Sequence, residues 1–225
     1  MANKLWLVFL FFGLLIMLGF KRDKTKKVVF FGDSITQAGV EPKGYITMIK
    51  NMLQSEGNTN YDLMGAGIGG NKVYDLYLRM DSDVLAKSPD IVLIYVGVND
   101  VWHKSMFGTG TDPDKFEKFY RAIIQKAQAA NAKVILVTPA TIGEKKNYVN
   151  QQDGDLNKYS GMIKNIGSSM NIPVIDLRTM FESYEQEHNT EDKDRGILTV
   201  DGVHLNDAGN KLVAETMLKA IKELK

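Results

Sequence analysis

The sequence predicts a three-layer α/β/α sandwich around a five-stranded parallel sheet, and three observations lead there. From about residue 28 onward, short apolar runs alternate with helical patterns. Two of the runs, 90–100 and 132–140, are nearly unbroken in Val, Ile and Leu, as strands buried on both faces are. The 225 residues, 44% hydrophobic and 24% charged, suit one globular domain with a core of useful size.

Taken in order, residues 1–27 stand apart from that domain, 28–225. One Lys precedes sixteen uncharged, mostly large apolar residues, Leu5–Phe20, and a basic run follows. As a helix that stretch is about 24 Å long, short of a hydrocarbon core of roughly 30 Å but near enough for flanking lysines to reach the interface. It reads as a signal peptide or a membrane anchor. No small-x-small cleavage site and no lipobox cysteine accompany it, which favours the anchor. The heavier basic flank follows the apolar run, an arrangement that would keep that flank in the cytoplasm. We nonetheless expect an exported protein, periplasmic or extracellular, or one anchored to the membrane.

The candidate strands are 27–34, 61–67, 90–100, 132–140 and 172–178. The clearest helix follows the third, with Phe116, Phe119, Tyr120, Ile123, Ile124 and Ala127 on one face. Asp112 is placed as its N-cap and Pro113 as its first residue. A last helix, about Asp207–Leu224, aligns Leu212, Val213, Met217, Ala220, Ile221 and Leu224. Stretches 141–156 and 188–203 read as long polar loops, and no internal repeat or second domain is visible.

Charge and composition remove several functions. The net charge is +1, but six basic residues and one Asp fall in 1–27, which leaves the remainder at −4. A mildly acidic body with no basic stripe argues against a nucleic-acid partner. The absence of cysteine rules out disulfides, thiolate zinc sites and a cysteine nucleophile.

Ligands of such sheets gather at the carboxyl ends of the strands. Polar residues and glycines stand at several of those ends: Asp33 and Ser34, the glycines of 65–70, and Asn99 with Asp100. Singly, each has a plain explanation. Ser34 caps the helix that follows, 65–70 is a tight turn, and 97–100 is an Asn/Asp turn. "DGVH" (201–204) is a solvated loop or a pair of metal ligands. The glycines lack the spacing and ribose-binding acid of a dinucleotide loop.

In this order, however, the four stretches resemble the blocks of the SGNH hydrolases, also called the GDSL esterase/lipase family. "FFGDSIT" fits the first block, "GIGGN" the second, "GVND" the third and "DGVHLNDAG" the last. The likeness runs from about residue 28 to the C-terminus and implies a flavodoxin-like fold. It implies Ser34 as nucleophile, His204 and Asp201 as base and orienting acid, and an oxyanion hole of Ser34, Gly70 and Asn99. Met64 and Ala66 stand where the family usually has a polar residue, so Gly69 competes with Gly70. Chemically, a hydroxyl needs an imidazole to take its proton, and that imidazole needs an acceptor on its other nitrogen. Glycine lets backbone N–H groups approach an oxyanion, and Asn donates without charge.

The expected function is a serine hydrolase that cleaves carboxylic esters through an acyl-enzyme. Short-acyl, acetyl esters are favoured, carbohydrate esters among them, with no cofactor and no metal. The alternatives are a lysophospholipase or thioesterase of the same family and, in another class, a non-catalytic flavodoxin-like binding module. The expected partner is a small-molecule or glycan ester, plus the membrane if the apolar N-terminal segment is retained. Trp102, His103, Met106 and Phe107, just beyond Asn99, and Tyr148 in the 141–156 loop are candidate substrate contacts.

Overall fold

A computed structural model describes residues 25–224. The expected leader, 1–27, therefore lies outside the described residues except for its last three. Two of those three belong to the sheet.

Five strands run β1 Lys26–Gly32, β2 Tyr61–Gly67, β3 Ile91–Tyr95, β4 Lys133–Val137 and β5 Val174–Ile175. All pair in parallel, in the order β2-β1-β3-β4-β5. β3 is buried at every residue, which is why it reads as a continuous apolar run and not as an alternating one. The helices are α1 Ser34–Ala38, α2 Tyr45–Ser55, α3 Val73–Asp83, α4 Val98–Phe107, α5 Pro113–Ala129, α6 Asp153–Met170, α7 Leu177–His188 and α8 Asp207–Glu223. α2 packs against α8, while α3, α5 and α6 pack in sequence on one another. The predicted three-layer sandwich is the one observed.

Several boundaries differ from the sequence reading, each for a local reason. The 90–100 run is a strand only to Tyr95; Gly97, at φ +136°, turns the chain so that Asn99 and Asp100 open α4. The fifth run shrinks to two residues because the Asp176 side chain accepts from Thr179 N and starts α7 at once. The 141–156 loop ends where α6 begins at Asp153. Asp112 does precede α5, but its carboxylate faces Lys115 and Lys104 and makes no capping bond.

The register sets up one edge. Gly32 lies level with Gly67 on one side and with Tyr95 on the other, so β1, β2 and β3 end on a line. Because β2 lies to one side of β1 and β3 to the other, the chain parts at this point and opens a crevice.

Candidate active site

Five residues from four segments meet beyond that line. β1 delivers Ser34 as the first residue of α1, and the helix is capped by Asp33, whose Oδ1 accepts from Ile35 N at 3.0 Å. Capping is thus the work of the aspartate, not the serine. Burial pushes the Asp33 carboxyl up to about 7, with the neighbouring Asp100 adding to the rise and the Ile35 N–H opposing it. No room exists under this turn: a Cβ on Gly32 would come within 2.2 Å of Thr36 Oγ1 and 2.4 Å of Tyr95 O.

The Ser34 Oγ stands 2.9 Å from His204 Nε2, and His204 Nδ1 stands 2.7 Å from Asp201 Oδ2. Asp201 Oδ1 also accepts from the backbone N–H groups of Val203 and His204, at 3.0 and 2.8 Å. Partial burial works to raise the Asp201 pKa, but the His204 ring and these N–H groups outweigh it and hold the carboxyl below its ordinary value. A carboxylate on Nδ1 fixes the tautomer whose Nε2 accepts the serine proton. Between the two residues Gly202 takes φ +94°, a region costly for any residue with a side chain.

Opposite them lies the 68–71 turn. The Gly69 N–H is already committed to Gln37 Oε1 at 2.8 Å, whereas Gly70, at φ +74°, has no acceptor for its N–H among the described residues. Of the two glycines, Gly70 is the one with a free donor. A Cβ on Gly69 would lie 3.9 Å from Ser34 Cβ, which places the turn against the serine. Buried Asn99 donates from Nδ2 to Asn71 O at 3.1 Å; its second amide hydrogen stays available.

The suggested substrate contacts divide. The Trp102 ring is 6.4 Å from that of His204, and His103 lies over Gly70 and 5.1 Å from the Phe107 ring. Burial, with Lys72 nearby, keeps the His103 ring below the ordinary imidazole value. Met106 and Phe107 are 53% and 62% exposed at the end of α4. Tyr148 falls elsewhere. It lines a small pocket with Glu182 and the buried Arg178, which pairs with Asp153 at 2.7 Å. Among the described residues, no three of His, Asp and Glu gather as a metal-holding group.

Two contributors escaped the sequence reading. Arg79 on α3 donates to Gly32 O at 2.7 Å, Ala66 O at 3.0 Å and Asn71 Oδ1 at 2.7 Å, stapling the ends of β1 and β2 to the 68–71 turn. Its signal was an arginine three residues after Leu76, on the buried stripe of an amphipathic helix. The second is Glu144, completely buried, for which a polar loop composition carried no signal.

Residues 30–212 match the model of the GDSL-like Lipase/Acylhydrolase family. A crystal structure of an acetyl xylan esterase, AlAXEase, is 60% identical and superposes with a TM-score of 0.86, covering 87% of this chain and 99% of that one. An acetylxylan esterase from Geobacillus stearothermophilus is 28% identical over 87% of this chain and 94% of its own length. Structures of Axe2, an acetylxylan esterase from Geobacillus stearothermophilus, superpose with TM-scores of 0.77–0.78 at 25–26% identity, covering 90% of this chain and 96% of Axe2. Three of them are catalytic mutants in which a histidine, an aspartate or a serine is replaced by alanine.

Proposed function

The chain belongs to the GDSL-like lipase/acylhydrolase family, is a carboxylic ester hydrolase of the SGNH type, and on that footing we propose that it removes acetyl groups from carbohydrates. The observation that carries the mechanism is the continuous line Ser34 Oγ, His204 and Asp201, with spacings of 2.9 and 2.7 Å. His204 Nε2 takes the hydroxyl proton as Ser34 Oγ bonds to the ester carbonyl carbon. The oxyanion is held by the N–H groups of Ser34 and Gly70 and the free amide hydrogen of Asn99. Collapse expels the alcohol, which leaves with the proton from His204. Water then attacks the acyl-Ser34 by the same route and frees acetate and the serine.

Two things support the acetyl–carbohydrate reading: the substrates named for the relatives above, and the composition of the loops around the crevice. The 141–156 and 188–203 stretches are rich in Lys, Asn, Gln, Asp and Glu, poor walls for an apolar acyl channel. A buried methylene contributes about 0.8 kcal/mol, so a true channel would favour each added carbon several-fold. The test is kcat/KM along a p-nitrophenyl series from acetate to decanoate, beside acetylated xylo-oligosaccharides. A fall beyond the shortest esters and release of acetate from the sugars are expected. The exposed Met106 and Phe107 favour a second reading, a lysophospholipase or thioesterase, which a steady climb with chain length would support. For the residues before β1 the proposal is an export signal or anchor, and a periplasm-dependent reporter fused after Lys225 is expected to be active.

A further inference from the structure

Glu144 is a completely buried carboxylate outside the line of Ser34, His204 and Asp201. Glu144 Oε1 accepts from Leu198 N at 2.6 Å and Thr199 N at 2.7 Å, and its Oε2 accepts from Ile197 N at 2.7 Å. Three consecutive backbone N–H groups therefore converge on one side chain, 53–55 residues away in sequence. Bonds to a carboxylate are short and about twice as strong as neutral ones, and a carboxylate has about four acceptor positions to offer them.

The clamped tripeptide is the near wall of the turn that carries the base. Thr199 Oγ1 accepts from Gly202 N at 2.9 Å, Val200 N donates to His204 O at 2.8 Å, and Thr199 bridges to Leu205. A second line ties the same two segments: Gly143 N donates to Gly202 O at 2.8 Å and Glu144 N to Asp194 O at 3.0 Å. The Glu144 carbonyl accepts from the buried Asn189 amide at 2.7 Å. By contrast, the Asp201 side chain is 43% exposed, so its own burial does little to hold it. Buried Leu198 and Val203 give the turn depth, but apolar contact alone is undirected and leaves its register loose.

We propose that Glu144 is a positioning residue for ester hydrolysis: through Ile197–Thr199 it sets the Asp201–His204 turn at its working distance from Ser34. The assignment rests on the proposed roles of Ser34, His204 and Asp201. Glutamine cannot substitute, because its amide nitrogen would face a backbone N–H, donor against donor.

The test uses the full chain and p-nitrophenyl acetate. In Glu144→Gln, kcat falls 10- to 100-fold with KM within twofold, since a misplacement of about 1 Å can cost on the order of 10²-fold. Labelling of Ser34 by a phosphonate slows in parallel, and the low-field proton resonance of the His204–Asp201 bond broadens. Thr199→Val, which cuts the link to Gly202 and leaves the carboxylate bonds alone, loses about tenfold in kcat and decides the matter if Glu144→Gln does not fold. Ile163→Val, a core change at a side chain with no part in the site, is the control and keeps wild-type kcat at a lowered melting temperature. Wild-type kcat in whichever of the Glu144 and Thr199 variants fold, or an equal loss in Ile163→Val, overturns the proposal. If Ser34→Ala or His204→Ala retains activity, the triad reading falls first, and that result is distinct.

Discussion

The two halves of the site are built by different means. Ser34 stands at the end of a central strand, over a capped helix and a Gly32 with no space beneath it, so the sheet itself holds the serine. His204 and Asp201 stand on an irregular turn, partly open to solvent, held by a few directed hydrogen bonds. The contrast teaches that one half is fixed by packing and the other by hydrogen bonding. Damage to the first should show as lost stability, and damage to the second as lost turnover.

The strongest test joins the halves. Ser34→Ala, His204→Ala and the double variant should each lose about the same rate, on the order of 10⁶-fold in kcat, because the pair acts as a unit. Stopped-flow or single-turnover assays with p-nitrophenyl acetate measure this; losses that multiply would mean that the halves work separately. Next in size is Asn99→Ala, expected to cut kcat by roughly 10²–10³ with KM little changed, as a donor used in the transition state should. A change confined to KM would make Asn99 a ground-state contact.

A pair of glycine variants divides the halves directly. Gly32→Ala forces a methyl onto Thr36 and the Tyr95 carbonyl, and should lower the melting temperature sharply or prevent folding. Gly202→Ala sets a methyl tightly against backbone, 3.3 Å from Asp194 O and from Gly143 N, and must also hold φ +94° at about 1–3 kcal/mol. That strain is relieved by moving the turn, so kcat should fall more than the melting temperature does. The reverse pattern would erase the distinction drawn here.

The smallest effect concerns pH. Burial raises Asp33 to about 7, Asp100 to about 6 and Glu185 to about 8. Between about pH 4 and these values the folded protein keeps protons that the unfolded chain has lost, so stability falls as pH rises through the window. Melting temperatures measured from pH 5 to 8 should decline, and Asp33→Asn should make the decline shallower. An unchanged slope would show that Asp33 is ionised throughout.

Much of this was legible beforehand because strands and blocks are local. The apolar runs located all five strands, and the spacing of Asp201 and His204 placed both side chains on one turn. What the sequence hid were the partners made by tertiary contact. Glu144 finds its donors and Arg79 its acceptors in other segments, up to 55 residues away for the Thr199–Glu144 bond and 47 for the Arg79–Gly32 bond. Nothing local showed that Tyr148 would share a pocket with Arg178 and Glu182. Strand ends were misplaced at 96–100 and 176–178 because hydrophobicity continues across a turn that a glycine or a capping aspartate decides.

The sequence separation of 170 from Ser34 to its base also sets a clock. A ribosome working at about 5–20 residues per second makes the serine roughly 10 to 30 seconds before the histidine. Throughout that interval the nascent chain holds a hydroxyl with no base, and ester cleavage has to wait until the segment carrying His204 has emerged and folded back. An esterase arranged this way is born silent and switches on only when its last catalytic segment has folded back onto its first.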